Sequence, residues 1–473
     1  MTGAPPPNLC ETPHPTRSVM PDKTNLSGSA SQNGWGQGRG EGYSSLSLWH
    51  DTCGDDWRLR SRLDGDTDVD VAIVGGGFGG LWTARYLADA DPSLRIGVIE
   101  AETCGFGASG RNGGWCSALL PTEIDSMHPA MVETIDEVGR AATLDGIDCD
   151  FAKGGTLTLV TNPAHEARVR SDAEVWLDTE SATQRFAAAG VLGAGFTPHC
   201  AAIHPAKLVR GLATAVERRG VTIWEGTRAR ELRPGAVVTD AGLVRAAVVL
   251  RCTEGYTPSL RHERRTIAPL YSLMVATEPL PEEVWDDIGL RGRETFTDGR
   301  HHIIYGQRTA DGRFAFGGRG APYHFGSSVR PSFDRDERVF AEIEASLRAL
   351  VPQIRDATIT HRWGGPLAAP RDWTASVGFD PATGLGWAGG YVGDGVATTN
   401  LAGRTLADLV LHRDTELSRL PWVGHRSRRW EPEPLRWLGI SAGQAIAARA
   451  DRREAATKRQ DRLGTALMRY LSS

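Results

Sequence analysis

The sequence predicts an α/β fold in which a parallel sheet wound by helices is interleaved with an antiparallel α+β region. Three observations predict it. The apolar run Val69–Val74 ends abruptly in glycines. Strand and helix signals alternate again between Pro205 and Leu250. Between Ile267 and Trp363, strand-like pieces are joined by turns around one helix.

Taken in order, Val69-Asp70-Val71-Ala72-Ile73-Val74 has the length and β-branched content of a buried parallel strand. Leu81, Ala84, Leu87 and Ala88 then fall at helical spacing, and Asp91-Pro92-Ser93 stops that helix before a second strand, Leu94–Glu100. Together they make one βαβ unit. A helix over Pro205–Arg219 and strands at Val221–Glu225, Ala236–Thr239 and Ala246–Leu250 continue the same pattern. Strands at Tyr271–Thr277, His302–Gly306 and Phe314–Gly317, with one helix over Asp334–Leu350, indicate an antiparallel sheet. An Ala/Arg/Glu-rich helical run starts near Arg436. Mixed acids such as Asp451 and Glu454 favour a solvated face over a membrane-surface helix.

At 473 residues the chain can bury a large core and exceeds what one core usually serves. Hydrophobic content of 40% and charged content of 23% are ordinary for a globular protein, and a net charge of −5 leaves no polybasic footprint, which excludes nucleic acid as a partner. No run approaches the ~18 apolar residues of a membrane span. The N-terminus lacks the apolar stretch of a signal peptide, and the seven cysteines are odd in number with no C-x-x-C pair, which fits a reduced, cytoplasmic chain. Residues 1–45 are rich in Pro, Gly, Ser and Asn and are expected to form a disordered tail. Met20 offers an alternative start within it.

Glycine, at 56 residues, is in excess, and much of that excess sits in three clusters. The first, Gly75-Gly76-Gly77-Phe78-Gly79-Gly80, matches G-x-G-x-x-G between a strand and a helix. Gly75 permits the tight turn, Gly77 lets backbone approach a pyrophosphate, and Gly80 allows close packing of helix on strand, while the helix N-terminus offers unpaired N–H groups. Glu100, at the end of the second strand and followed by Ala101, lies where a carboxylate accepts from ribose hydroxyls. A dinucleotide is implied, but this motif alone leaves NAD and FAD undecided.

The second cluster is Gly107-Ala108-Ser109-Gly110-Arg111-Asn112-Gly113-Gly114. It resembles the FAD-dependent oxidoreductases related to D-amino-acid oxidase and glycine oxidase, and in particular their gamma-glutamylputrescine oxidase-like branch. The resemblance implies an FAD-binding Rossmann-type (glutathione-reductase-like) domain. Ala108, Ser109, Arg111, Asn112, Gly113 and Gly114 would lie along the cofactor, with Ser109, Arg111 and Asn112 donating to its oxygens. The third cluster, Gly389–Ala397, precedes a helix through Leu401, Leu406 and Leu409. It is similar to the family's C-terminal flavin motif, which assigns Gly393, Asp394, Gly395 and Val396 to the cofactor. Thr253 and Gly255, in Thr253-Glu254-Gly255-Tyr256, resemble the turn where the chain returns to the cofactor, and Ala229 stands where the family places a valine whose backbone meets the adenine.

Catalytic candidates on the substrate side are Tyr305, Arg308, Trp363 and Tyr391, with Tyr323 and His324 beside them. Arg308 has two readings, a substrate anchor or a structural pair within the sheet. His301 and His302 suggest no metal, since neighbours on a strand point apart and no carboxylate or cysteine cluster accompanies them in sequence. Cys116 follows the second cluster, but relatives with a covalent flavin carry their cysteine elsewhere, so noncovalent FAD is expected.

The resulting division is a tail over 1–45, cofactor-binding segments at 46–149, 196–266 and 365–412, substrate-domain segments at 150–195 and 267–364, and a helical extension at 413–473. The resemblance implies oxidation of a small-molecule amine or amino acid at its C–N bond, with O2 or another acceptor taking the electrons. A flavin monooxygenase and a flavin-binding protein without turnover are the competing readings.

Overall fold

The computed structural model describes residues 1–3, 42–120, 122, 124–462 and 464, and the described residues from Gly42 onward belong to one unit. Of the expected tail, residues 4–41 lie outside the described residues. Gly42–Ser45, assigned to that tail, are ordered instead. Tyr43 is buried, its ring meets Phe106 edge-on, and its hydroxyl donates to Glu102 at 3.3 Å.

The six-stranded sheet runs Ser376–Asp380, Leu385–Gly389, Val248–Arg251, Val71–Val74, Ile96–Ile99, Thr222–Trp224. Its inner strands are parallel, and Val71–Val74 pairs with Ile96–Ile99 on one side and Val248–Arg251 on the other. The chain thus leaves the central strand toward one edge and later returns to its opposite side. Such a switch point opens a crevice at the strands' C-terminal ends, where Gly75 begins.

Both faces of this sheet are covered, as a near-continuous apolar strand requires. Val71 and Ile73 pack under helices Phe78–Ala90, Pro205–Glu217 and Gly395–Val410, whereas Ala72 and Val74 face a second, smaller sheet. That sheet is a correction. Ala236–Thr239 does not extend the parallel sheet but forms an antiparallel meander with Ala229–Arg233 and Leu243–Arg245, closed by Thr67–Asp68. Short connections at Gly235 and Gly242 hold these strands together, and such turns cannot make the long crossover that a parallel pair needs.

The sheet expected on the substrate side has eight strands in the order Ile359–Ala369, Ala268–Thr277, Phe314–Arg319, Ile304–Arg308, Thr295–Asp298, Thr156–Val160, Gly193–Thr197, Val175–Leu177. It departs from pure antiparallel pairing at one place, where Thr295–Asp298 runs parallel to Thr156–Val160. A second helix, Glu282–Ile288, accompanies the expected one, which spans Glu337–Leu350. Asp334 and Asp336 lie before its start, and the Asp336 carboxylate caps it by accepting from Arg338 N and Val339 N. Leu273, Val275, Phe296, Phe314 and Phe316 form one packed face of the sheet, while Met274, Ala276, Tyr305 and Trp363 lie on the other.

Among the described residues, the long helix of the C-terminal extension spans Leu435–Thr457. Before it, Trp422 is buried in the main core, and Trp430 donates its indole N–H to Ala369 O at 2.8 Å. The helix has the expected solvated face, with Arg449, Arg452 and Arg453 exposed, but the two acids expected on it are turned toward the protein. Glu454 is fully buried and meets Arg168 at 2.6 Å, and Asp451 accepts from the amides of His301 and His302. These acids dock the helix on the substrate-side sheet. No described helix is long and apolar enough to cross a membrane.

Candidate cofactor and substrate site

The three glycine clusters, the last about 300 residues after the first, meet at the C-terminal edge of the parallel sheet. Gly75 adopts φ +115°, and a Cβ there would lie 2.3 Å from Cys252 O, at the end of the neighbouring strand. A Cβ at Gly80 would lie 2.0 Å from Gly75 O, so turn and helix pack backbone to backbone. At Gly77 the obstruction would be the Ser109 hydroxyl, 2.8 Å away. That hydroxyl accepts from Phe78 N at 2.8 Å and so caps the helix that begins there. Gly79 is less constrained, with its nearest neighbours at 3.8 Å.

Glu100 reaches back over the first loop, accepting from Gly76 N at 2.7 Å and Glu102 N at 2.9 Å. Burial pushes its carboxyl up to about 7, further helped by Glu102 and Glu225, and the two N–H donors offset only part of this. Half-buried Ala101 follows it, and Thr227 N donates to Glu100 O at 2.8 Å, which brings Ala229 alongside. A carboxylate at a strand end beside glycine-lined backbone is the donor and acceptor set that an adenosine ribose and a pyrophosphate require. The residues present therefore fit FAD.

The second loop is braced mainly by its own polar groups. Arg111 is buried. It donates to Phe106 O at 2.7 Å, to Asp334 Oδ2 at 2.7 Å and to Gly364 O at 3.1 Å. Asn112 donates to Ala108 O and Ser109 O and accepts from Gly114 N. Both side chains thereby fix the loop's shape. Burial raises the Asp334 carboxyl above its ordinary value despite the adjacent guanidinium. Gly114, at φ +71°, leaves room for Gln307, whose Nε2 donates to Gly113 O at 2.7 Å.

In the third cluster, Gly393 takes φ +111°, Asp394 is the N-cap position of helix Gly395–Val410, and Val396 is buried behind it. Glu254 ties this cluster to the Thr253–Gly255 turn, accepting from Gly390 N at 2.9 Å and Tyr391 N at 3.1 Å. Burial pushes Glu254 up to about 7, and the donated N–H groups act in the opposite direction.

On the substrate side, the Tyr305 ring lies over Gly113, where a Cβ would come within 2.9 Å of it, and its hydroxyl pairs with Ser272 Oγ at 2.8 Å. Trp363 donates its indole N–H to Arg111 O at 2.9 Å. Tyr391 is buried between the first and last cofactor helices, 3.8 Å from a Cβ built at Gly79, and not on the substrate-side sheet. Arg308 is not brought to the site. It points with Gly306 to the opposite face, pairs with Glu282 at 2.8 Å and lies over Trp285, because strand neighbours alternate. Tyr323 donates to Glu433 in the C-terminal segment, and His324 stacks on Phe333.

Sequence reasoning missed Trp49, Asp334 and Gln307. Trp49 donates to Asn112 O at 2.8 Å, so the segment before the first strand clamps the second loop. No local pattern marks these residues, because each meets its partner across at least 60 positions of chain. Buried Cys116 has its thiol pushed well above the ordinary range, which disfavours a nucleophilic thiolate. Contrary to the expectation that no carboxylate accompanies His301, Asp451 and Glu454 approach it from the C-terminal helix. The cation already there is Arg168, within 3.4 Å of the His301 ring nitrogen.

The family model described as DAO, FAD dependent oxidoreductase, matches residues 70–409. The chain is 29% identical over 416 residues to a probable oxidoreductase OrdL of Rhizobium meliloti, covering 80% of this chain and 90% of that one. It is 29% identical to the gamma-glutamylputrescine oxidoreductase of Escherichia coli, covering 78% and 91%. The crystal structure of glycine oxidase from Geobacillus kaustophilus superposes with a TM-score of 0.66 at 22% identity, covering 76% of this chain and 99% of that one.

Proposed function

The chain belongs to the FAD-dependent oxidoreductase family, and from that premise we propose that it oxidises the C–N bond of a small amine or amino acid to an imine, which water hydrolyses to a carbonyl product. The observation that carries this reading is the meeting of three glycine clusters with Glu100 at one sheet edge, under a sheet face bearing Tyr305, Gln307 and Trp363. Likeness to amine-oxidising relatives supports the choice of substrate class.

Noncovalent FAD supplies the two-electron acceptor for a hydride from the carbon next to nitrogen. The chain's own residues position and shield. Gly75, Gly77, Gly79, Gly80 and Phe78 keep backbone close to the pyrophosphate, and Glu100 with Ala101 and Ala229 receives the adenosine. Ala108, Ser109, Gly113 and Gly114, held by Arg111 and Asn112, carry the middle of the cofactor. Thr253 and Gly255 approach it from the adjoining strand. Gly393, Asp394, Gly395 and Val396 place a helix N-terminus, with its partial positive charge, near the reacting end. Tyr305 and Trp363 close the other side against water, and Tyr391 supports the loop from beneath.

No base is required, because a neutral amine supplies the electron pair that drives hydride departure. Protonation of the substrate then controls the rate. Anaerobic rapid mixing with a panel of amines should bleach the flavin, faster as pH rises and then at a constant rate. Adding oxygen afterwards separates an O2-using oxidase from an enzyme that needs another acceptor. Bleaching by NADPH and by no amine would overturn the proposal in favour of a monooxygenase.

A further inference from the structure

The C-terminal helix begins with its polarity inverted. Arg436 is 2% exposed, paired with Glu433 at 3.0 Å and set over the Tyr323 ring, whereas Leu435, Trp437 and Leu438 are 59%, 40% and 51% exposed. Burying an arginine while leaving a tryptophan and two leucines in water is the reverse of what folding alone favours. The arrangement is held in place. Glu433 accepts from Trp437 N at 3.0 Å and from Gly326 N at 2.9 Å, which brings Phe325, 59% exposed, to the same surface.

Cations surround this apolar island. Arg264 donates to Gly326 O, and its own carbonyl accepts from Arg436. Trp430 N donates to Arg265 O, which sets the exposed Arg428 and Arg429 beside them. Across residues 263–265, 325–330 and 428–438, six arginines stand against three carboxylates, in a chain whose net charge is −5. Two of those carboxylates are already matched, Glu431 by Arg371 and Glu433 by Arg436. Among the described residues no ion pair engages Arg264, Arg330, Arg428 or Arg429, although the charge of Arg428 also acts on Glu431.

We propose that this surface docks on an anionic lipid bilayer, with Phe325, Leu435, Trp437 and Leu438 entering the headgroup region and Arg264, Arg330, Arg428 and Arg429 meeting lipid phosphates. Exposed aromatic and leucine side chains ringed by arginine are the chemistry such an interface selects. An anionic protein face would match the arginines but would leave the protruding Trp437 and Leu438 without an apolar receptor, whereas a bilayer receives both. The remainder of the helix stays on the protein, because Glu454 anchors its far end to Arg168.

Flavin-loaded protein should co-sediment with phosphatidylglycerol-containing vesicles and not with phosphatidylcholine vesicles. Arg428→Glu with Arg429→Glu should weaken binding at least about twentyfold, at about fivefold for each arginine lost. Trp437→Ser with Leu438→Ser should also reduce it, with flavin content and melting temperature unchanged. Failure of the wild-type protein to bind anionic vesicles would overturn the proposal, as would binding that both double variants retain. Concentration-dependent dimerisation lost in Trp437→Ser, without vesicle binding, would overturn it in favour of a second copy of the chain.

Discussion

The Ser109 hydroxyl accepts from the Phe78 amide at 2.8 Å, so the second glycine loop caps the helix that the first loop begins. One oxygen thus fixes the spacing of two backbone segments that must both lie against the cofactor. A Cβ at Gly77 would sit 2.8 Å from that same oxygen. Gly77→Val should therefore weaken FAD binding by at least about a hundredfold, equivalent to about 2.8 kcal/mol, measured by quenching of flavin fluorescence. Wild-type affinity in this variant would show that the loop is only a structural turn.

Glu100 predicts a pH dependence. Burial raises its folded-state value to about 7, and ribose hydroxyls that donate to its charged form would lower that value on binding, so FAD capture releases a proton. Affinity should be full above about pH 7 and fall as pH drops below it, by at most about tenfold per pH unit. Glu100→Gln should bind more weakly at pH 8 and lose most of this slope. Titrations of apoprotein with FAD from pH 5.5 to 8 test it, and an unchanged slope in the variant would assign the proton elsewhere, with Glu254 the first alternative.

The buried pair of Arg111 with Asp334 joins the second loop to the substrate-side segment. Asp334→Leu leaves a buried guanidinium without its counter-charge and should cost about 3–5 kcal/mol, read as a fall in melting temperature. Arg111→Met added to Asp334→Leu should recover part of that loss, because the pair's mutual attraction mainly offsets its own desolvation. A double variant less stable than the single one would refute this account.

At Glu454, burial raises the carboxyl's proton affinity, but Arg168 and the amide of Asp461 outweigh it and the net shift is downward. The stabilisation is therefore present at neutral pH and lost as pH falls through the depressed folded value. Glu454→Ala should loosen helix Leu435–Thr457 by about 3 kcal/mol, seen as faster amide exchange there, with flavin content unchanged. Unaltered exchange would mean that apolar packing alone holds the helix.

What the sequence determined by itself was local. Val71–Val74, its glycine turn, helix Phe78–Ala90 and Glu100 lie within about thirty residues, so periodicity, β-branching and glycine placement specify them without reference to distant chain. The likeness of the second and third clusters to known flavoenzymes was legible for the same reason. Tertiary structure alone decided which polar side chains remain for a ligand. Arg111 and Asn112 brace the loop through partners that sequence does not mark, Arg308 turned to the far face, and Glu454 was drawn from a helix surface into a buried pair. A buried charged or polar group takes whatever partner satisfies it at least cost in desolvation, and that partner is set by packing across hundreds of residues. The same physics left Arg436 inside and Trp437 outside at the start of the last helix, an inversion that no window of sequence displays until Glu433 is seen to hold it.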